Sequence, residues 1–91
     1  MKHHVEWLQT ATDQLTEIWT QADAQLRKAI TQATHQIDRQ LEKDPLGQSE
    51  SRPDGRRIFH CAPLGLLFRI EADGRTVSVL RVWAYRKKAK P

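Results

Sequence analysis

A chain of 91 residues, 38% apolar and 29% charged, has room for one small core of at most two layers, because a domain of this size buries only roughly 60–65% of the surface its unfolded chain exposes. That balance excludes collagen-like, disordered and membrane-embedded classes. The net charge of +4 is unevenly placed: up to Asp44 five basic residues face seven acidic ones, and from Pro45 onward ten face four. A concentrated positive field favours a polyanion or an acidic protein partner without choosing between them.

No apolar run approaches the roughly 20 residues that span a bilayer, and the start "MKHHVEW" has no apolar stretch of secretory type. The cytoplasm is the expected compartment, with no membrane partner. Cys61 is the single cysteine, so the core must hold without an internal disulfide, and the residue reads as a small apolar strand position. His3, His4 and His35 lack metal-ligand spacing, and neighbours such as His3 and His4 point to opposite faces of a strand. No metal or cofactor is expected.

In chain order, "HHVEWL" from His3 to Leu8 is a short strand, and "TATD" offers a capping-box-like helix start with Thr10 accepting from the Asp13 N–H. Apolar residues then recur at helical spacing from Ala11 through Leu15, Ile18, Ala22, Leu26, Ile30, Ala33 and Ile37 to Leu41. One helix from Ala11 to Lys43 would be about 50 Å long, whereas a domain of this size has a radius of gyration near 12 Å, an order-of-magnitude estimate. The spacing therefore predicts two helices breaking near Ala22–Ala24, with Asp23 as the second N-cap; the alternative is one long helix that dimerises as a coiled coil. Asp44-Pro45 ends the helical stretch, and "DPLGQSESRPDG" reads as a loop.

Three strands follow, "RRIFHCA", "LGLLFRIE" and "RTVSVLRVW", the last two joined at Asp73-Gly74. A regular two-residue turn there pairs Ile70 with Val77, Phe68 with Val79, Leu66 with Arg81 and Leu64 with Trp83. Leu67, Leu80 and Val82 then share the opposite face, which two helices cannot also cover; a partner chain, or a loop or tail folding over, would have to. Arg81 falls on the otherwise apolar face and needs a carboxylate, with Glu17 and Glu50 as candidates, unless it serves as a phosphate-binding arginine at the sheet rim. Trp7, Trp19 and Trp83 read as packing residues.

The order β-α-α-β-β-β, together with "LEKDP", "SRPDGRRIF", "PLGLLFRI" and "TVSVLRVW", resembles the RelE/ParE family of bacterial type II toxins across nearly the whole chain. The resemblance implies an α+β fold, a helical hairpin on one face of a small antiparallel sheet, as one domain over 1–91; the charge run at 86–91, past the last apolar strand position, reads as a mobile basic tail. It implies a plasmid-stabilising type of toxin neutralised by a cognate antitoxin whose flexible segment wraps its surface. RelE-like members cleave messenger RNA on the ribosome, and ParE-like members inhibit DNA gyrase. The antitoxin interface would then involve Leu67, Arg69, Leu80 and Val82, and target or phosphate binding Arg57, Arg69, Arg81 and Lys87. A homodimer is compatible with the same open face.

RNA cleavage through the 2′-hydroxyl needs a proton acceptor, positive charge for the phosphorane and a donor to the leaving oxygen. RelE-like sequences supply these from lysines after the loop, an arginine early in the next strand, and an arginine and tyrosine near the C-terminus. Here the matching positions hold Arg57 and His60, then Gly65 or Leu66, then Tyr85 and Arg86. Only the tail matches. Arginine is no base near neutral pH and free tyrosine ionises only near pH 10, an approximate reference value, so His60 is the side chain suited to move protons. Tyr85, Arg86 and His60 are thus the candidate catalytic residues of a metal-independent endoribonuclease. Binding without catalysis, as in ParE-like members, fits the departures better, and an orphan chain that keeps only an interaction role is a third reading.

Overall fold

The computed structural model describes residues 2–85; the basic tail 86–91, with Arg86 and Lys87, lies outside the described residues. The chain runs β1 (His4–Trp7), α1 (Gln9–Gln21), α2 (Ala24–Lys43), β2 (Glu50–Ser51), β3 (Arg56–Cys61), β4 (Leu64–Ile70) and β5 (Thr76–Ala84), with a 3-10 turn at Pro53–Gly55. The five strands form one sheet in the order β1-β5-β4-β3-β2. Four pair antiparallel, but β1 runs parallel to β5, so the sheet is mixed where the sequence reading had it wholly antiparallel. The path between the two strands is the reason: the helical hairpin carries the chain across one face to β2 at the far edge, successive antiparallel strands bring it back to β5 beside β1, and a connection of that length permits parallel pairing that a tight turn forbids. Two residues of the expected loop, Glu50 and Ser51, pair with Ile58 and Arg57 as the short edge strand β2.

The helical stretch breaks where expected. Ala22 and Asp23 are extended, and the Asp23 carboxylate accepts from the Leu26 N–H at 2.8 Å as the N-cap of α2. Thr10, by contrast, lies inside the first turn of α1 and caps nothing. Leu8 is the residue before the helix: its N–H donates to the Val79 carbonyl and its carbonyl accepts from the Thr12 N–H. Pairing of the preceding strand, not a side-chain cap, sets the start.

The elbow is closed from the other helix. α1 has no basic residue in its last turn; instead Arg27 of α2 donates from Nε to the Trp19 carbonyl at 2.9 Å and from Nη2 to the Thr20 carbonyl at 3.2 Å. Its guanidinium sits 5.5 Å from the centroid of the Trp19 ring. A cation on the negative end of a helix and over an aromatic face satisfies carbonyls that the helix leaves open. Arg27→Ala is therefore expected to lower the unfolding free energy by about 1 kcal/mol, measured by urea denaturation, and Arg27→Lys to recover only part because it loses the two-pronged contact.

Ile30, Ala33, Ile37 and Leu41 form the buried stripe of α2 and Ala11 that of α1, and they close over Phe59, Leu64, Leu66, Phe68, Val77, Val79 and Val82 from the sheet. β1 is fastened to α2 at two points: the His3 N–H donates to the Glu42 carbonyl at 2.8 Å, and Trp7 Nε1 donates to the Asp38 carboxylate at 2.9 Å. Among the described residues no helix is long and apolar enough to cross a membrane.

The β4–β5 hairpin holds its expected register near the turn, Ile70 with Val77, Arg69 with Ser78 and Phe68 with Val79, and then shifts. Leu67 pairs with Arg81, Leu66 with Val82 and Leu64 with Ala84, leaving Leu80 as a bulge residue without a partner on β4. A regular ladder would press the Arg81 guanidinium into the core beside Leu66, and an unpaired buried charge costs several kcal/mol, of order 3–5. One extra residue avoids this. Two expectations are thereby corrected: Val82 is buried in the core and is not on the uncovered face, and Arg81 is exposed, with no ion pair to Glu17 or Glu50.

At the turn, Gly74 takes a positive φ of 71°, which glycine adopts without strain. Asp73 accepts from the Arg75 and Thr76 N–H groups and the Thr76 hydroxyl, and these bonds hold its carboxyl below the usual range. Glu71 is lowered too, first by the Ser78 hydroxyl and then by Arg69. A carboxyl whose folded-state pKa is depressed adds stability that is complete above the unfolded value of about 4 and is lost as pH falls through the folded value. Stability should accordingly decline only on the acid side of that range, and Asp73→Asn with Glu71→Gln should flatten the decline in acid titrations followed by circular dichroism.

Candidate functional site

The helices cover one face of the sheet, and alternation along β3, β4 and β5 decides which side chains remain on the other. Three cross-strand rows stand there: Arg56, Arg69 and Ser78; Ile58, Leu67 and Arg81; His60, Gly65 and Trp83. Arg57, placed from the sequence among target-binding residues, faces the other way. Its Nε donates to the Ser49 hydroxyl at 2.6 Å and its Nη2 to the Ser49 carbonyl at 3.0 Å, so it pins the loop that precedes β2. Arg56 is the exposed arginine of that strand. The signal for it was available: with Phe59 in the core, residues 56, 58 and 60 share the open side.

Arg69 and Arg81 both lie on the open face, in unlike states. Arg69 reaches Glu71 with Nε and Nη2, each at 3.3 Å, and Glu71 also accepts from the Ser78 hydroxyl. Arg56 and Arg81 make no ion pair among the described residues. Two uncompensated guanidinium groups thus flank a half-buried apolar strip of Ile58 and Leu67, with Leu80 half-buried at the bulge. An arginine directly across from an arginine, as Arg56 is from Arg69, is unfavourable for the sheet alone and favourable once an anion lies across both.

The third row is aromatic. Tyr85 continues β5, its N–H donating to the Pro63 carbonyl, and its hydroxyl is hydrogen-bonded to His60 Nδ1. The two rings lie 5.5 Å apart at 38°. Gly65 makes this possible: a Cβ there would stand 2.5 Å from Trp83 Nε1 and 2.6 Å from the Tyr85 hydroxyl. Trp83, expected to be packing, is a half-buried member of this platform, and His60 and Tyr85 are exposed. Of the three candidate catalytic residues the fold brings Tyr85 and His60 together. Chemically the pair can share a proton, but the position opposite Trp83 holds no side chain to stabilise a phosphorane.

Cys61 is half-buried on the helix side of β3, its Sγ 3.3 Å from the Gln36 side-chain carbonyl and 3.7 Å from the Ala33 carbonyl. Burial pushes the thiol pKa up, away from reactivity.

The same fold occurs in bacterial toxins of toxin–antitoxin systems. The toxin–antitoxin complex RelBE2 from Mycobacterium tuberculosis is matched with a TM-score of 0.65 and 22% identity over 94% of this chain and 100% of the other. A chromosomal ParDE system from P. aeruginosa gives a TM-score of 0.72 and 18% identity over 93% and 98%. The isolated E. coli RelE toxin gives 0.60 and 11% over 94% and 87%. No curated protein sequence matches the chain. The architecture is therefore that of the RelE/ParE toxins. Residues 5–88 match the model of the ParE toxin of the type II toxin–antitoxin system parDE, and the chain belongs to that family.

Proposed function

We propose that this toxin inhibits growth by binding its target with the open face of the sheet, in ParE-like fashion with DNA gyrase as the target, and that a cognate antitoxin neutralises it by covering that face. The observation that carries the reading is the row His60, Gly65 and Trp83. Where a RelE-like nuclease would carry an arginine, this chain has a glycine with an indole lying against it, and Arg57 is turned away toward Ser49. What is left is an aromatic and apolar platform flanked by Arg56 and Arg81, a composition typical of binding hot spots. Leu67, Arg69 and Leu80 belong to the surface an antitoxin would cover; Val82 does not.

Purified toxin is expected to inhibit supercoiling by gyrase and to leave messenger RNA intact in a translation mixture, with Arg81→Ala weakening the inhibition. Supercoiling that proceeds unaffected at toxin excess would refute the gyrase reading. One observation favours ribosome-dependent RNA cleavage as a second reading, the hydrogen bond that joins Tyr85 to His60. Cleavage lost in Tyr85→Phe and His60→Ala would establish it. Unimpaired growth at high expression without any antitoxin would instead favour the orphan reading.

A further inference from the structure

The open face is not uniformly basic. Pairing carries its cross-strand rows out to the sheet edges, where Glu6 of β1 stands beside Ser78 and Glu50 of β2 beside Ile58. One row thus reads Glu6, Ser78, Arg69 and Arg56, and the next Arg81, Leu67, Ile58 and Glu50. Each ends in a carboxylate, at opposite edges of the sheet. Glu71 follows Arg69 on the same side and binds its guanidinium, and Arg52 reaches Glu50 at 3.5 Å. Four arginines therefore meet three glutamates, and most of the chain's net charge of +4 stands elsewhere.

This arrangement suits one class of anion and opposes another. A nucleic-acid backbone bears a charge at every nucleotide and binds where positive charge continues beneath it. Neighbouring strands stand about 4.8 Å apart, so a backbone crossing the sheet from Arg69 comes over Glu6 within about 10 Å, close to the screening length of ordinary salt. One crossing from Arg81 ends over Glu50, and one following β4 past Arg69 meets Glu71. The Ser78 hydroxyl, and after it Arg69, hold the Glu71 carboxyl below the usual range, so its charge is present at neutral pH. The rings on which a base could stack lie in the third row, which has no arginine among the described residues. A short acidic stretch of polypeptide avoids all three carboxylates: one of its own can bridge Arg56 and Arg69, which stand directly opposite, another can reach Arg81, and an aliphatic side chain can cover Ile58 and Leu67 between them.

We propose that the open face reads a short acidic stretch of polypeptide in the target and turns nucleic acid away, with Glu6, Glu50 and Glu71 as the residues that set the choice. The inference rests on the reading above that this face meets the target, and adds the class of molecule met there. Arginines attract either class of anion. The carboxylates tell them apart, by repelling the one whose charges cannot stop short of them.

Fluorescence anisotropy of labelled DNA and RNA oligonucleotides on the full toxin, at about 50 and 200 mM salt, tests this. Glu6→Gln, Glu50→Gln and Glu71→Gln together are expected to tighten oligonucleotide binding at least about tenfold and to steepen its salt dependence by roughly 0.7–0.9 per phosphate gained. Arg56→Ala in that background should remove most of the gain. Asp13→Asn, Glu17→Gln and Glu42→Gln, which change the net charge equally but lie on the helices, should gain less than about threefold. Equal gains from the two sets, or none from the first, overturn the inference. Labelled toxin is also expected to bind gyrase freed of DNA, and about tenfold more weakly with Arg56→Ala; binding that appears only when DNA is present overturns the inference and leaves gyrase as the target. Toxin that ignores gyrase with and without DNA refutes the gyrase reading, and the oligonucleotide comparison then decides the inference alone.

Discussion

Gly65→Val is expected to abolish growth inhibition while the protein stays folded. The first new carbon would stand 2.5 Å from Trp83 Nε1 and 2.7 Å from Trp83 Cε2, where carbon and nitrogen need well over 3 Å, a van der Waals order of magnitude. Trp83 is a rigid bicyclic ring held at its Cβ by the strand, so relief must come from rotating the indole off β4. Tyr85, whose hydroxyl stands 2.6 Å from the same Cβ, must move with it and release His60. Crowding of this kind costs about 1–3 kcal/mol, less than the roughly 5–14 kcal/mol that holds a domain of this length. The helix-facing core, Leu64 and Leu66 on either side, is untouched because Gly65 points the other way. Circular dichroism should therefore show a folded protein with a modestly lower melting temperature, and target binding should fall by two orders of magnitude or more if the platform is a hot spot worth about 3 kcal/mol. A fully toxic Gly65→Val would mean that Trp83 and Tyr85 take no part in target recognition.

The helical hairpin was legible in the sequence because its causes are local. A stripe of Ile30, Ala33, Ile37 and Leu41 needs only the helical period, and the break at Asp23 follows from a capping residue set against the length of an unbroken helix. The turn end of the hairpin was legible for the same reason, Asp73-Gly74 fixing Ile70 opposite Val77. What escaped depends on non-local competition. Whether β5 runs regularly past Val79 is decided by what the helices would do to Arg81, and alternation alone carries that pattern one residue out of step from Leu80 onward. Val82 consequently moved to the core and Arg81 to the surface. The parallel partner of β1 was hidden likewise, since direction of pairing is set by where the crossover returns. At the site, chemistry singles out Tyr85 and His60 in the sequence, and their junction follows from the fold; charge singles out Arg57, and charge does not tell the two faces of a strand apart. Counting outward from the core residue Phe59 would have selected Arg56.

The bulge itself is open to a decisive substitution pair. Under a regular register Val82 would lie on the uncovered face and accept a carboxylate without penalty, and Arg81 would be the buried residue. In the observed register Val82 is 3% exposed and packs with Leu66 and Ala11 in one cluster, while Arg81 is exposed and unpaired. Val82→Asp would then place a carboxyl among aliphatic groups with no cation near it. It must either stay charged, at a cost of several kcal/mol, or take up a proton, and the lost aliphatic packing adds about 1–2 kcal/mol. The sum, of order 4–6 kcal/mol, is comparable with the whole stability of so small a domain. The expected result is a chain unfolded at neutral pH that regains structure on mild acidification, since protonation removes the charge. Arg81→Ser removes no buried contact and should change the unfolding free energy by less than about 0.5 kcal/mol, yet weaken target binding. If instead Val82→Asp folds normally and Arg81→Ser unfolds, β5 keeps its regular register, and the exposed guanidinium on which the proposed target platform depends is not there.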